Sequence, residues 1–165
     1  MAKRTKPAPL ILVPGWVEYL RTSDEDSQAP ERSQAYQHRL IIDHLIEPSG
    51  LPLLDTYPDT MSGKKVSRVN YQRLLADARL GKFSHVAIAF VDRFGRNDVE
   101  GLRAYDELTA LGIQVRIATY PSLEPEKPDG RMIVAMLFTV AQFESARTAQ
   151  RTRQGMIETL LRGDW

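Results

Sequence analysis

Two rhythms of apolar and polar positions alternate along the chain. Short apolar runs at 17–22, 53–57, 84–91 and 113–119 are bounded by Gly, Pro, Ser or Asp, as strands are. Longer stretches between them repeat apolar residues at helical spacing. A loop at 27–31 with Pro30 feeds a helix running to about 47, which the Pro48-Ser49-Gly50 run breaks. A polar loop at 58–65 precedes a helix over 67–80. The helix over 98–111 has Asn97 at its N-cap position, Glu100 three residues on and Gly112 as its stop. A loop with three prolines fills 121–128, and Asp129 is placed to cap a long helix reaching about 161.

Strands that alternate with helices specify an α/β domain with a mostly parallel central sheet and helices on both faces, and a long C-terminal helix that projects. The expected organisation is a flexible basic extension over 1–15 (Lys3, Arg4, Lys6 and three prolines), an α/β core over 16–128 and a long helix over 129–165. In such a sheet the functional loops lie at the carboxyl ends of the strands. That rule gathers Tyr19, Arg21 and Ser23 after the first strand, Asp59 and Ser62 after the second, and Asp92, Arg93 and Arg96 after the third. A hydroxyl, carboxylates and several guanidinium groups form the inventory for attack on a phosphodiester. Serine supplies the nucleophile, and arginines are fixed bidentate clamps for phosphate oxygens.

Composition narrows the possibilities further. The 165 residues suffice for one domain with a real core. With 22 Lys+Arg against 21 Asp+Glu the formal charge is +1, so any basic surface is local. There is no cysteine, hence no disulfide framework and no thiolate chemistry, which fits a reducing cytoplasm; His38, His44 and His85 show no metal-ligand spacing. The apolar stretch at 10–13 is too short to span a membrane. No cofactor or metal is expected, because clustered guanidinium groups favour a serine alkoxide and stabilise a pentacoordinate phosphorane-like transition state without a histidine base.

The last helix changes character midway. Positions 132–143 are densely apolar, whereas 144–153 are mostly polar. Arg147 and Arg151 share one face at i,i+4, Arg153 is close by, and Met156, Ile157, Leu160 and Leu161 follow. This half is suited to meet both a phosphate backbone and a partner helix.

Tyr19-Leu20-Arg21-Thr22-Ser23, Asp92-Arg93-Phe94-Gly95-Arg96-Asn97, Asp129-Gly130-Arg131, Ala141-Gln142-Phe143-Glu144 and Gln150-Arg151-Thr152-Arg153 occur in an order and spacing that resemble the catalytic domain of the serine recombinases, the resolvase/invertase family, over about 16–162. The ending, 155–165, resembles the point where large, integrase-like members enter a DNA-binding region, which implies that such a region lies outside this chain. The resemblance implies that Ser23 attacks a DNA phosphodiester and is joined to the 5′ phosphate, releasing a 3′ hydroxyl. It places Arg21, Arg68, Arg93, Arg96 and Arg151 around the phosphate, has Asp92 orient the arginines or assist proton transfer, and makes Gln28 and Ser62 supporting contacts. The covalent bond keeps the phosphodiester energy, so rejoining needs no ATP. Implied partners are double-stranded DNA and further copies of the chain, as a homodimer or homotetramer through the helix at 129–162, in a bacterial or phage-derived cytoplasmic protein.

One position departs from the family pattern: Ser145 stands where most members carry arginine after the glutamate of the "FE" element, and Arg147 lies roughly 200° around the helix from it. An alternative therefore stands beside the recombinase: an impaired, resolvase-fold assembly module. A flavodoxin-like small-ligand domain is the third reading. The Ser62-Gly63-Lys64-Lys65 run does not make a phosphate loop, since Pro58 replaces the first glycine and no Ser or Thr follows the lysine.

Overall fold

The computed structural model of the chain describes residues 10–22, 30–62, 65–66, 68–95 and 98–162. Strands β1 (Trp16–Arg21), β2 (Leu53–Asp59), β5 (His85–Ile88) and β6 (Gln114–Ile117) form one sheet in the order β2-β1-β5-β6, and every pairing in it is parallel. β1 is flanked on both sides, so its residues are buried from Trp16 to Leu20. Their side chains alternate between two cores. Val17 and Tyr19 join Tyr57, Val86, Ile88, Val115 and Ile117 under the helices α3 (Val69–Arg79), α4 (Asp98–Ala110) and the start of α5 (Pro128–Arg162). Trp16 and Leu20 face Ala87, Ala89 and Ala118 and the helical segment that begins with α1 (Pro30–Ile41). The result is the expected three-layer α/β arrangement.

Several boundaries move for identifiable reasons. The helix that begins at α1 does not stop at Pro48. It widens into a π turn at Ile42–Ile46 and closes with α2 (Glu47–Ser49), ending at Gly50 with φ 69°. A proline presses on the carbonyl four residues back, so a widened turn immediately before Pro48 accommodates it. The second strand runs to Asp59 rather than Tyr57, because β1 extends to Arg21 and pairs it with Asp59. Within the segment read as a polar loop, β3 (Met61–Ser62) and β4 (Lys65–Val66) form a small antiparallel pair, with Met61 opposite Val66. The third strand stops at Ile88, and Val91–Arg93 is a 3₁₀ turn instead of strand. The last helix begins at Pro128, with Asp129 inside its first turn; the fixed φ and missing N–H of proline suit that first position.

Ahead of β1, the Val13 N–H donates to the Gly81 carbonyl at 2.9 Å, and Leu12 packs against the larger core. The start of α5 is held by close approach. A Cβ on Gly130 would lie 2.0 Å from the Glu124 carbonyl oxygen, and one on Gly101 of α4 would lie 2.4 Å from the Phe138 ring. Val134 and Phe138 are buried, and Leu137 and Ala141 lean on the same core. Beyond them every side chain described over 142–162 is exposed. At 1.5 Å per residue the 35-residue helix is about 50 Å long, so its distal half projects from the domain.

Candidate functional site

The carboxyl edge of the sheet carries a connected set of side chains. Tyr19 and Arg21 leave β1 on the same face. The Arg21 guanidinium donates from Nε to the Arg93 carbonyl at 3.0 Å and from Nη2 to the Asp92 carbonyl. It is thereby fastened to the 3₁₀ turn that follows β5. Burial lowers the Arg21 pKa from its ordinary value, and the neighbouring Arg93 and Arg68 charges add to the effect.

Arg68, immediately before α3, is the most enclosed of them at 7% exposure. Its Nη1 lies 2.6 Å from Glu100 Oε2, and its Nη2 donates to the Phe94 carbonyl at 3.0 Å and to the Tyr19 hydroxyl at 3.3 Å. The guanidinium also stacks 3.7 Å above the Tyr71 ring, a cation–π contact. Burial by itself would lower the Arg68 pKa, but Tyr19 and Glu100 keep it above its ordinary value. Arg68 thus ties β1, the turn after β5 and α4 together. Glu100, read from sequence as a helix-start residue, is a partner of that arginine.

Asp59 is the second anchor. Its Oδ2 accepts the Tyr19 hydroxyl at 3.0 Å and the Tyr71 N–H at 3.0 Å, and its Oδ1 accepts the Asn70 N–H at 3.1 Å. Arg68, at the cap position of α3, makes no side-chain cap there, so the carboxylate of Asp59 supplies one from the end of β2. Burial raises the Tyr19 pKa and Asp59 adds to the rise, with Arg68 opposing. The phenol remains neutral and donates.

Asp92 is about half exposed, with Oδ2 3.2 Å from Arg93 Nε. It stands beside the arginines and pairs with one of them. Of the other residues singled out from sequence, Ser23, Gln28 and Arg96 lie outside the described residues, as does the side chain of Ser62. Arg147, Arg151 and Arg153 are exposed on the projecting half of α5 and do not enter the network at the sheet edge. The structure therefore brings together Tyr19, Arg21, Asp59, Arg68, Asp92 and Arg93, and leaves the α5 arginines apart from them.

Sequence reading missed buried polar groups, Gln37 and Glu18 among them. Gln37 is 1% exposed and bonds the Arg21 backbone. Its signal was its place on the face shared with Ile41 and Leu45, at successive i,i+4 steps. Glu18 is fully buried on β1, where its Oε1 meets His38 Nδ1 at 2.7 Å and accepts the Thr56 hydroxyl at 2.8 Å. A carboxylate inside an apolar strand was visible in the sequence as well.

Comparisons with known proteins agree with this architecture. The family profile described as "Resolvase, N terminal domain" matches residues 16–165. A "Resolvase/recombinase" of Pseudomonas putida is 28% identical over 107 residues, 65% of this chain and 58% of that protein. The "Serine recombinase PinR" of Escherichia coli is 28% identical over 90 residues, 54% of this chain and 45% of its own length. The chain thus matches about half the length of these relatives. Among solved structures, the N-terminal catalytic domain of TP901-1 integrase superposes with a TM-score of 0.59 at 25% identity, over 80% of this chain and 97% of that one. The parallel sheet, the arginine-bearing edge and a family match that spans nearly the whole chain make it a member of the resolvase N-terminal-domain family of serine recombinases.

Proposed function

We propose that the chain is the catalytic domain of a site-specific DNA recombinase in which Ser23 attacks a phosphodiester. The Ser23 oxygen bonds to phosphorus, the bond to the 3′ oxygen breaks, and a 5′-phosphoserine and a 3′ hydroxyl result. Arg21, Arg93 and Arg96 surround the phosphate and stabilise the charge of the transition state. Asp92 orients Arg93. Rejoining is the reverse attack by a 3′ hydroxyl, so phosphodiester energy is conserved.

The observation that carries this reading is the fastening of Arg21 to the Asp92 and Arg93 carbonyls. It fixes the residue two positions before Ser23 against the loop that bears the other arginines. Charge held in a preorganised, partly buried setting stabilises a transition state far better than the same charge in water. Arg68 acts one step back, because its donors are engaged with Glu100, Phe94 and Tyr19.

The projecting α5 carries the assembly role. Met132, Met136, Val140 and Phe143 are exposed at 57, 56, 54 and 66%, and recur along one side of the helix. A homodimer or homotetramer covers this stripe, and the exposed Arg147, Arg151 and Arg153 follow the DNA backbone. An assembly-only module, with Ser145 as its impairment, predicts the same stripe but no chemistry.

The test joins the chain, after Trp165, to a zinc-finger array and supplies nicked duplexes whose central segment is randomised between two finger sites. A covalent protein–DNA adduct that Ser23→Ala abolishes supports the recombinase. DNA binding without an adduct supports the assembly module.

A further inference from the structure

β1 loses one of its neighbours just where the site begins. Its pairing with β5 ends at Tyr19 opposite Ile88, because β5 stops and the chain turns towards Val91–Arg93. On the other flank the pairing with β2 persists, and the Thr22 N–H still donates to the Asp59 carbonyl at 3.2 Å. Successive residues of a strand send their backbone groups to opposite flanks, so both backbone groups of Arg21 face the flank that β5 has left.

Gln37 occupies that vacancy. Its Oε1 accepts the Arg21 N–H at 3.3 Å, and its Nε2 donates to the Arg21 carbonyl at 3.0 Å. The remaining Nε2 proton reaches the Ser33 hydroxyl at 3.2 Å. The carboxamide therefore acts as a single residue of missing strand, supplied from α1. Burying an amide is costly unless its partners are complete, and here they are. An apolar residue on the same helix face would serve packing equally well and leave Arg21 unpaired.

We propose that Gln37 is a positioning residue for the reaction: it fixes the backbone of Arg21, and through it both the guanidinium seated on Asp92 and Arg93 and the chain leading to Ser23. The inference rests on the recombinase reading. It assigns Gln37 no contact with DNA, so its loss slows cleavage without weakening DNA binding.

Two measurements test it. In the chain as it stands, hydrogen exchange is followed at the Arg21 amide in wild type and Gln37→Met. The variant exchanges there roughly tenfold faster or more while Val17 keeps its protection, because one hydrogen bond has been removed locally. Unchanged protection at Arg21 overturns the proposal. The second measurement follows adduct formation by Gln37→Glu in the zinc-finger fusion across pH, as a ratio to wild type. A protonated glutamic acid donates to the Arg21 carbonyl as the amide does, whereas the carboxylate repels it, and burial raises the pH at which one becomes the other. The ratio is highest in acid and falls roughly tenfold as pH rises, with DNA affinity unchanged. A ratio flat with pH overturns the positioning role while leaving the Ser23 chemistry intact. An adduct that survives Ser23→Ala instead removes the recombinase reading, and this inference with it.

Discussion

Arg21 and Arg93 are joined through the backbone: Arg21 Nε donates to the Arg93 carbonyl at 3.0 Å, although both side chains are cations. The carbonyls of Asp92 and Arg93 hold one guanidinium, while the other, on Arg93, has its Nε 3.2 Å from Asp92 Oδ2. Arg21→Lys should therefore lose more than its retained charge suggests, since an ammonium is a point donor and cannot reproduce a fork on two carbonyls. The expected outcome is a fall in the cleavage rate of roughly a hundredfold or more, comparable to losing a preorganised donor at a transition state. Stopped-time adduct assays, with DNA affinity measured in parallel, check it.

The Arg68–Glu100 pair makes a prediction about stability. Arg68 is almost enclosed, with its side chain 5% exposed, and Glu100 is 34% exposed. Glu100→Gln keeps an acceptor but removes the compensating charge from a buried guanidinium. The fold should lose about 1–3 kcal/mol. Urea denaturation measures it, and the Arg68→Met, Glu100→Gln double variant should recover part of the loss, because no buried cation is left without its carboxylate.

Four of the six tyrosines, Tyr19, Tyr57, Tyr71 and Tyr105, have pKa values raised chiefly by burial, Tyr71 to about 12. A folded-state pKa above the unfolded value contributes stability that is complete below about pH 10 and is lost as pH rises further. Ultraviolet titration of the native protein should leave these phenols un-ionised past pH 10, then show an abrupt rise in phenolate absorbance as the fold opens. Tyr57→Phe should make the alkaline limb shallower, at the cost of the hydrogen bond to Asp77.

The exposed stripe on α5 gives an assembly prediction. Met136 and Val140 are about half exposed and lie on the side of the helix opposite Val134, Phe138 and Ala141, which contact the core. Met136→Glu with Val140→Glu should leave the thermal midpoint of the domain nearly unchanged while shifting sedimentation towards monomer. An unaltered sedimentation profile of an associated wild type would place the interface elsewhere.

The parallel sheet was legible because β1 and β5 are nearly continuous apolar runs bounded by turn residues, and the placing of Tyr19, Arg21, Asp59, Asp92 and Arg93 at one edge followed from topology. Less legible were the features that depend on long-range pairing. Pro58 and Asp59 extend β2 only because Leu20 and Arg21 offer them ladder partners. Phe90 and Val91 look like strand by composition, yet β5 ends before them as the chain turns. Arg68 was placed around the phosphate by the family resemblance alone, since nothing in its own stretch of sequence marks it. Its actual surroundings come from Tyr71, Glu100 and Phe94, none of which its own neighbours in sequence announce. Gln37 was hidden for a similar reason, since the gap it fills exists only once β5 diverges from β1.

In the proposed reaction the carboxyl edge of this sheet directs a phosphate onto Ser23. Trapping the adduct on a nicked duplex, digesting the DNA to a residual nucleotide and sequencing the modified peptide by mass spectrometry tests it most directly. A nucleotide 5′-phosphate on Ser23 and on no other residue is the expected result. A nucleotide found on a different side chain, or a trapped adduct in which the peptide bearing Ser23 is unmodified, would contradict it.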